Sequence, residues 1–204
     1  MYLLFFVFAV CAIVTIPIHF MSVEHTKLQK KFGEEKGIKV GEVYGRISGD
    51  LLFLSLIGLW LSPQPRFVLS FFQNPSFSVP VINFPIPLIH LIIFIVCAAT
   101  GVWLLFQSVA GLTIKVSESH RPEKVITRGI YGRVRHPQYL GFLLTHIGFS
   151  FLLSGLFALI ATPVIFLILY VFAHKEETEL ANDFGQDYKE YKKKVPMLVP
   201  RFGK

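Results

Sequence analysis

Residues 129–141 read Gly129-Ile-Tyr-Gly-Arg-Val-Arg-His-Pro-Gln-Tyr-Leu-Gly141. This stretch is the most informative part of the 204-residue chain. It places two arginines, one histidine and two tyrosines directly beside a long apolar run that begins at Leu140. Charge at a membrane boundary is costly unless it has a partner or a function. A dense polar cluster at the opening of an apolar segment is therefore a candidate active site.

The composition indicates a membrane protein. Of the residues, 53% are hydrophobic and 16% are charged, whereas soluble domains have about 25% charged residues. A spanning helix needs about 20 apolar residues, and five segments approach or exceed that length: Met1–Phe20, Ile47–Leu61, Pro87–Gly111, Tyr139–Leu153 and Leu156–Ala173. We therefore predict an all-α integral membrane protein with about five transmembrane helices. The last two are joined at Ser154-Gly155 and must form an antiparallel C-terminal helical hairpin.

The distribution of basic residues predicts the orientation of this topology. Segments 22–46 and 112–138 each hold six Lys and Arg, and the tail from 174 to 204 holds seven. Segment 62–86 holds only Arg66, so 19 of 20 basic residues lie on one side. Because cytoplasmic loops are enriched in Lys and Arg, we expect the N-terminus outside and the C-terminus inside. The net charge of +7 then indicates attraction to anionic membrane lipids and no nucleic acid as a partner.

The connecting segments carry their own predictions. Segment 22–46 has mixed charges and favours a helical extension that ends near Gly37. Segment 62–86 contains five prolines, which exclude a regular helix, and it is either a cap in the outer interface or a plain connecting loop. In the tail, four apolar residues recur at helical spacing and predict an amphipathic cytoplasmic helix, which lies on the membrane surface or folds over a site as a lid; they are Leu180, Phe184, Tyr188 and Tyr191.

The hairpin should bring two polar clusters together. Arg135 and His136 precede its first arm, while Glu176 and Glu177 follow its second arm. Arg135 and Glu176 can therefore be neighbours, either as a structural ion pair or as catalytic groups. The histidines lack the spacing of metal ligands, so no metal is expected. Walker and Gly-x-Gly-x-x-Gly motifs are also absent, which leaves a soluble nucleotide-binding fold unsupported.

These residues resemble the isoprenylcysteine carboxyl methyltransferase family, which is related to phospholipid N-methyltransferases. The resemblance covers roughly residues 120–200 and includes Glu123–Tyr131, Arg135–Gly141, Glu176-Glu177, Phe184-Gly185 and Val195-Pro196. We predict a single membrane domain over 1–204, in which the apolar segments of residues 1–111 form three N-terminal transmembrane helices. The resemblance implies that residues 112–204 form a methyltransferase core that binds S-adenosylmethionine on the cytoplasmic side.

The resemblance also implies the residues of the site. Arg135 and Glu176 would be the charged pair that faces the reacting centre. The cofactor contacts would be Glu123, Lys124, Val125, Ile126, Tyr131, His136, Pro137, Gln138, Tyr139 and Glu176. The family usually has a histidine near the position of Glu123. Its eukaryotic members have an arginine, placed to meet the substrate carboxylate, where this chain has Phe172.

The function implied is transfer of a methyl group from S-adenosylmethionine to a lipophilic acceptor, a prenylcysteine-like carboxylate or another lipid group. Phe172 leaves an amine, a thiol or a phenol open as the acceptor. The alternatives are an NADPH-dependent membrane sterol or isoprenoid-type reductase, which has a similar Arg-His-Pro turn, and a non-enzymatic membrane protein. The Glu176-Glu177 pair favours the methyltransferase.

Overall fold

A computed structural model describes residues 2–69, 75–79, 84–111 and 124–200. These residues are mainly helical, as the sequence predicts. The long helices are α1 (Leu3–Val23), α3 (Glu34–Leu61), α4 (Leu88–Gly111), α5 (Pro137–Leu152) and α7 (Thr162–Lys194); the shorter elements are α2 (His25–Phe32), α6 (Leu156–Ile160), the strands β1 (Ser76–Val79) and β2 (Phe84–Pro87), and a 3-10 turn at Gly129–Gly132.

Three helices in the described part of the chain are long and apolar enough to cross a membrane: Leu3–Val23, Glu34–Leu61 and Leu88–Ala110. Their outward faces carry large apolar side chains, among them Leu3, Leu54 and Phe106, which are 76%, 57% and 73% exposed. Exposed apolar surface on this scale suits contact with lipid rather than with water. The chain is thus a helical membrane protein in its broad architecture.

Segment 22–46 differs in detail from its prediction. It is helical, but the break lies at Gly33 rather than near Gly37. Gly33 adopts φ 82°, a left-handed conformation that glycine reaches without steric cost. Gly37 lies inside α3, which begins at Glu34 and continues without interruption through the apolar run 47–61. A glycine inside a helix weakens it by only about 1 kcal/mol, so the packing of α3 overrides this signal.

The predicted hairpin is present. Helix α5 ends at Leu152, the chain reverses at Ser154 with φ 52°, and α6 and α7 return along α5. Residues from the proline-rich segment bind the tip of this reversal. The Phe67 amide donates to the Ser154 carbonyl at 3.1 Å, and the Leu156 amide donates to the Pro65 carbonyl at 3.0 Å.

The remainder of the proline-rich segment is extended rather than helical where the structure describes it. Strands β1 and β2 pair antiparallel, with Ser76 opposite Pro87 and Val79 opposite Phe84. The prediction that prolines exclude a regular helix is confirmed for residues 63–69, 75–79 and 84–87. Residues 70–74 and 80–83 lie outside the described part.

Helices α4 and α5 pack closely through small residues. A Cβ added at Gly141 would lie 2.8 Å from the Gly101 carbonyl oxygen, and one added at Gly101 would lie 2.6 Å from Thr145 Oγ1. Small residues let helix backbones approach in this way inside membranes. The main apolar core lies between α1, α3, α5 and α7, and includes Phe5, Leu56, Leu59, Ile168 and Phe172.

The C-terminal tail is helical. The helical stretch from Thr162 to Lys194 contains a kink at Gly185, whose φ of 53° is not helical, so that two helices meet there. Tyr188 and Tyr191 are buried and form a small cluster with Val195, against which Val125, Leu180 and Phe184 pack. The predicted apolar face is therefore covered by protein.

Candidate active site

The two polar clusters of the sequence meet at the open end of the hairpin. Arg135 lies just before α5, and Glu177 lies in the middle of α7. Arg135 Nε donates to Glu177 Oε1 at 2.6 Å, and both side chains are buried, with 9% and 1% exposed. Lys192 Nζ lies 2.8 Å from the other carboxylate oxygen of Glu177. A buried carboxylate needs such partners, because an unpaired buried charge is strongly destabilising.

The C-terminal segment is bound over the start of α5. The guanidinium of Arg135 donates to the carbonyls of Lys192, at 3.0 Å, and Val195. The amides of Arg135 and His136 donate to the carbonyls of Pro196 and Met197 at 2.9 and 3.0 Å. Two adjacent backbone hydrogen bonds and one arginine therefore hold the end of α7 and the residues after it against the Arg-His-Pro turn.

Glu176 forms a second, separate centre. Tyr139 donates its hydroxyl to Glu176 Oε1, and His136 Nδ1 lies 3.4 Å from Glu176 Oε2. His19 Nε2, from α1, lies 3.2 Å from Glu176 Oε1. Glu176 therefore joins three elements of the fold, α1, α5 and α7, through a carboxylate that is only 10% exposed.

The pairing of Arg135 differs from the expected one. The resemblance pairs Arg135 with Glu176, whereas the structure pairs Arg135 with Glu177. Successive residues of an α-helix point about 100° apart, because the helix has 3.6 residues per turn. Only one of the two adjacent glutamates can face Arg135, and the other turns toward Tyr139 and α1. The sequence alone does not show which of the two adjacent glutamates faces Arg135.

The pKa values of Glu177 and His136 are both shifted from their ordinary values. Burial alone would raise the pKa of Glu177, but hydrogen bonds from His136, Arg135 and Lys192 outweigh it and lower that pKa to about 2. Burial alone would lower the pKa of His136, but its contacts with Glu176 and Glu177 raise it above the ordinary value. A histidine held between two carboxylates at 3.3 and 3.4 Å is thereby stabilised in its charged form.

Two tyrosines connect the site to its surroundings. Tyr191 donates its hydroxyl to the Tyr131 carbonyl at 2.6 Å, and Tyr131 donates to the Ser108 carbonyl at 3.3 Å. Burial, followed by the charge of Glu176, raises the pKa of Tyr131. Both phenols are therefore neutral donors at physiological pH, and they tie the 3-10 turn to α4 and α7.

A cavity of about 310 Å³ opens beside His19 and Tyr139. Its walls come from α1, α3, α5 and α7, and its lining residues are His19, Gly45, Arg46, Ser48, Gly49, Asp50, Leu52, Phe53, Gln138, Tyr139, Phe142 and Phe172. Most of this lining is apolar or small. Tyr139 and His19 belong both to the cavity wall and to the contacts of Glu176, so the carboxylate centre lies directly behind the wall.

The remaining residues expected at the cofactor site are less closely grouped. Pro137 is buried in the first turn of α5, where proline is favoured. Val125 packs on the cluster of Tyr188 and Tyr191. Lys124 is exposed and Ile126 is half-buried. Glu123 lies outside the described residues.

Lys192 and His19 were missed in the sequence analysis, and Glu177 was named there without its pairing to Arg135. Glu177 is the ion-pair partner of Arg135, Lys192 is its second cation, and His19 contacts Glu176 from the N-terminal helix. A signal for His19 was present, because it is the one ionisable group other than cysteine and tyrosine between Met1 and Val23. Ionisable residues inside apolar spans are rare and mark functional sites.

No group of three or more metal-ligating side chains occurs within the described ranges. Cys11 and Cys97 are free thiols.

Comparisons with known proteins match the segment that contains α5 and the two glutamates. Residues 88–182 match the isoprenylcysteine carboxyl methyltransferase (ICMT) family. This segment of the chain is similar to the ICMT family. It contains α4, the Arg-His-Pro turn, α5 and both glutamates, whereas His19 and Lys192 lie outside it.

Individual curated relatives are similar over less than half of the chain. The protein-S-isoprenylcysteine O-methyltransferase of Schizosaccharomyces pombe is 35% identical over 91 residues, which are 43% of this chain and 37% of the relative. Methanethiol S-methyltransferase 2 of Bradyrhizobium diazoefficiens is 43% identical over 74 residues, 35% of this chain and 27% of the relative. A protein-S-isoprenylcysteine O-methyltransferase B of Arabidopsis thaliana is 36% identical over 92 residues, 44% of each chain.

The matches thus span less than half of the length of these curated relatives. No solved structure matches the chain. The matched family and these relatives are methyltransferases, and the predicted alternative of an NADPH-dependent reductase is not supported.

Proposed function

We propose that this protein is an integral membrane methyltransferase that transfers a methyl group from S-adenosylmethionine to a lipophilic acceptor. The observation that carries the proposal is the buried centre of Glu176, Tyr139 and His136 beside a largely apolar cavity. The ICMT match over 88–182 supports the same reaction, and relatives named for O-methylation and S-methylation define the chemical range.

The residues present fit a cationic cofactor. Glu176 is a carboxylate only 10% exposed, and buried carboxylates attract cations strongly where the dielectric constant is low. The ring of Tyr139 adjoins the same carboxylate, to which its hydroxyl donates, and the faces of tyrosine rings stabilise neighbouring cations. An ammonium or sulfonium group therefore has both an anionic and an aromatic partner in this centre.

When bound, S-adenosylmethionine supplies an activated methyl group on a sulfonium. Glu176, Tyr131, Tyr139 and His136 would hold it, with Glu123, Lys124, Val125, Ile126, Pro137 and Gln138 completing the proposed contacts. Transfer needs alignment of donor and acceptor more than it needs covalent help from the protein, and positioning supplies up to roughly 7–11 kcal/mol. Rigid helices that carry Tyr139 and Glu176 meet that need.

Within this proposal Arg135 acts as a positioning residue rather than through contact with the reacting atoms. Its guanidinium binds Glu177 and the carbonyls of Lys192 and Val195. These bonds fix the register of α7 against α5, and so they fix Glu176 opposite Tyr139. Glu176 is the member of the proposed catalytic pair that can touch the cofactor.

The proposed acceptor is a lipid-like molecule, either a prenylcysteine-like carboxylate or another lipid group. It would enter from the membrane between helices, while the polar cofactor enters from the cytoplasm. The proposed topology has five membrane segments, with α5 and the first half of α7 joining the three candidate spans and the C-terminus in the cytoplasm. A fluorescent protein fused to the C-terminus and tested for protease access in intact cells checks this orientation.

Calorimetry on the detergent-purified full-length chain tests the cofactor. We expect S-adenosylmethionine and S-adenosylhomocysteine to bind with micromolar affinity and NADPH to give no heat. Binding of NADPH together with no response to either sulfur ligand would overturn the proposed function. Transfer of a tritiated methyl group into extracted host lipids then identifies the acceptor class.

A further inference from the structure

Four glycines of α3 recur at every fourth position, and helix packing does not account for the last of them. They are Gly37, Gly41, Gly45 and Gly49, and residues four apart lie on one face of a helix. A Cβ added at Gly37 would lie 2.7 Å from the backbone of Gln29, whereas one added at Gly49 would meet nothing within 4 Å. Glycine weakens a helix relative to other residues, so the space beside Gly49 needs another explanation.

The open end of this glycine face forms one wall of the cavity beside His19 and Tyr139. Gly45 and Gly49 line the cavity from α3, while Phe142 and Phe172 line it from α5 and α7. Glycine permits a ligand to approach the helix backbone closely, because it has no side chain. The two glycines therefore leave room for an apolar body between α3 and the aromatic side chains of the hairpin.

Ser48 supplies a polar group on the same wall. It lines the cavity and is 0% exposed, and its Oγ has no hydrogen-bond partner among the residues that the structure describes. Other buried helical serines differ, since Ser55 donates to the Leu51 carbonyl at 2.7 Å and Ser150 donates to the His146 carbonyl at 2.8 Å. A buried hydroxyl without a partner is costly, and a ligand in the cavity removes that cost.

The partner that suits Ser48 is a neutral oxygen acceptor. A hydroxyl has one proton to donate and two lone pairs, and buried donors are left unpaired less often than acceptors. A carboxylate at this depth would need a cation beside it, but the arginine of the lining, Arg46, is exposed and has Asp50 one turn away. A carbonyl of a ketone, an amide or an ester accepts the hydrogen bond without bringing charge into the wall.

We propose that this cavity binds the methyl acceptor as a carbonyl-bearing amphiphile, with its apolar body along Gly45 and Gly49 and a carbonyl oxygen bound by Ser48. In this proposal, which rests on the proposed methyltransferase function, Ser48 determines specificity. The recognised carbonyl is separate from the methylated group, because Tyr139, which donates to Glu176, belongs to the wall from α5. The volume of about 310 Å³ is at the lower end of ligand pockets, about 300–1,000 Å³, and suits a single apolar chain.

The first test measures binding to the purified full-length protein without the cofactor. Its probes are 2-nonanone and 2-methyl-1-nonene, in which a methylene group replaces the carbonyl oxygen and the shape is kept. We expect the ratio of ketone affinity to alkene affinity to fall about fivefold in Ser48→Ala, the effect of losing one neutral hydrogen bond. The ratio cancels the partition of each probe into detergent. An unchanged ratio would overturn the proposal.

Two measurements separate recognition by Ser48 from a structural role. Ser55→Ala removes a buried hydroxyl of the same helix that is bonded within the helix, and it should keep the wild-type ratio. Because Ser48 Oγ has no partner in the described part of the chain, unliganded Ser48→Ala should unfold at the wild-type temperature or above. A lower unfolding temperature would show that this hydroxyl supports the fold, and it would overturn the assignment of Ser48 to a ligand.

The second test fills the cavity with Gly49→Leu. The fold should tolerate this change, because a Cβ at Gly49 meets nothing within 4 Å and leucine favours a helix. We expect 2-nonanone to bind at least about tenfold more weakly, while the Kd for S-adenosylmethionine stays at the wild-type value. Val43→Leu adds bulk to an exposed position of α3 outside the cavity lining and should bind the ketone as wild type does. Wild-type affinity in Gly49→Leu would contradict the proposed location.

The third test connects the cavity with methyl transfer. 2-Nonanone should inhibit the transfer of a tritiated methyl group into extracted host lipids, in competition with the lipid. Ketone binding that depends on Ser48 but does not inhibit transfer would overturn the acceptor assignment and leave the methyltransferase intact. Failure of S-adenosylmethionine to bind would overturn the proposed function itself, whereas the ratio of the two probes, measured without cofactor, would still decide the role of Ser48.

Discussion

The two ends of the α5–α7 hairpin both bury histidines, but they surround them with different partners. At the open end His136 lies between two carboxylates, Glu176 and Glu177. Toward the tip, His146 accepts a hydrogen bond from Trp60 Nε1 at 3.1 Å and its Nε2 lies 3.0 Å from the Ala158 carbonyl. A third histidine, His90, lies 2.9 Å from Ser154 Oγ.

The charge of these partners distinguishes the histidines that stabilise the fold from the histidine at the candidate site. The partners of His146 and His90 are neutral, and they close the tip by satisfying buried donors and acceptors, which is the ordinary requirement of a membrane interior. The partners of His136 carry charge, and the centre that they form adjoins a cavity. Buried charges are costly to assemble, so their concentration at one end of the hairpin supports placing the proposed reaction there.

The largest expected effect tests the charged end through Glu176. Glu176→Gln keeps the shape but removes the charge that would face the cofactor. We expect methyl transfer to fall by on the order of 10²–10³, the loss typical of one preorganised electrostatic group. Glu179→Gln, one turn further along α7 and paired with Lys175, is the matched control and should retain activity. Comparable activity in both variants would contradict the assignment.

The next effect concerns stability. Arg135→Ala leaves Glu177 buried with Lys192 and His136 as its remaining charged partners. We expect the free energy of unfolding to fall by about 3 kcal/mol, as when one member of a buried ion pair is removed. Denaturation in detergent measures this change. The control Arg133→Ala removes an exposed neighbouring arginine and should change the free energy of unfolding by less than about 0.5 kcal/mol. An equal loss of stability in both variants would contradict the buried ion pair as the cause.

A smaller effect compares the two kinds of histidine directly. His136→Ala removes the ring that stacks on Tyr139 and one partner of Glu176. We expect the Kd for S-adenosylmethionine to rise about tenfold, which corresponds to about 1.4 kcal/mol. His146→Ala should leave that Kd unchanged, because its partners lie toward the tip. Calorimetry measures the Kd for S-adenosylmethionine in both variants. An equal rise in Kd in both would contradict the assignment of the cofactor site to the open end of the hairpin.

The prediction with the smallest effect at neutral pH concerns how the stability of the protein falls as the pH is lowered. The pKa of Glu177 is lowered in the folded protein to about 2 from an ordinary value of 4.5. Its stabilising contribution is therefore complete above about pH 4.5 and is lost as the pH falls toward 2. Denaturation of the wild type between these values should show the loss, and Glu177→Gln should show a flatter dependence. Parallel curves would mean that Glu177 is not the titrating group.

The helices and the hairpin were predictable because their signals are local. Apolar length, the Ser154-Gly155 reversal and Pro137 at the start of α5 each act over a few residues. The boundary of α3 was not predictable in the same way. Gly37 favours a break, but contacts with α2 hold it in a helix: a Cβ there would lie 2.7 Å from the backbone of Gln29.

The candidate site was predictable only in outline. The order of motifs shows that residues 135–139 and 176–177 share one end of the hairpin. It does not show which glutamate turns toward Arg135, since a single helical step of about 100° decides that. The role of Lys192 also depended on the bend at Gly185, which redirects the end of α7.

The sequence by itself determined that this is a helical membrane protein with a polar cluster at the mouth of a hairpin, because composition, charge and apolar length are properties of segments. The tertiary structure alone decided that Arg135 binds Glu177, that Glu176 faces Tyr139, and that His19 reaches the same carboxylate across 157 positions of sequence. Such contacts depend on the rotation of each helix about its axis, and that rotation is set by packing among α1, α3, α5 and α7 together.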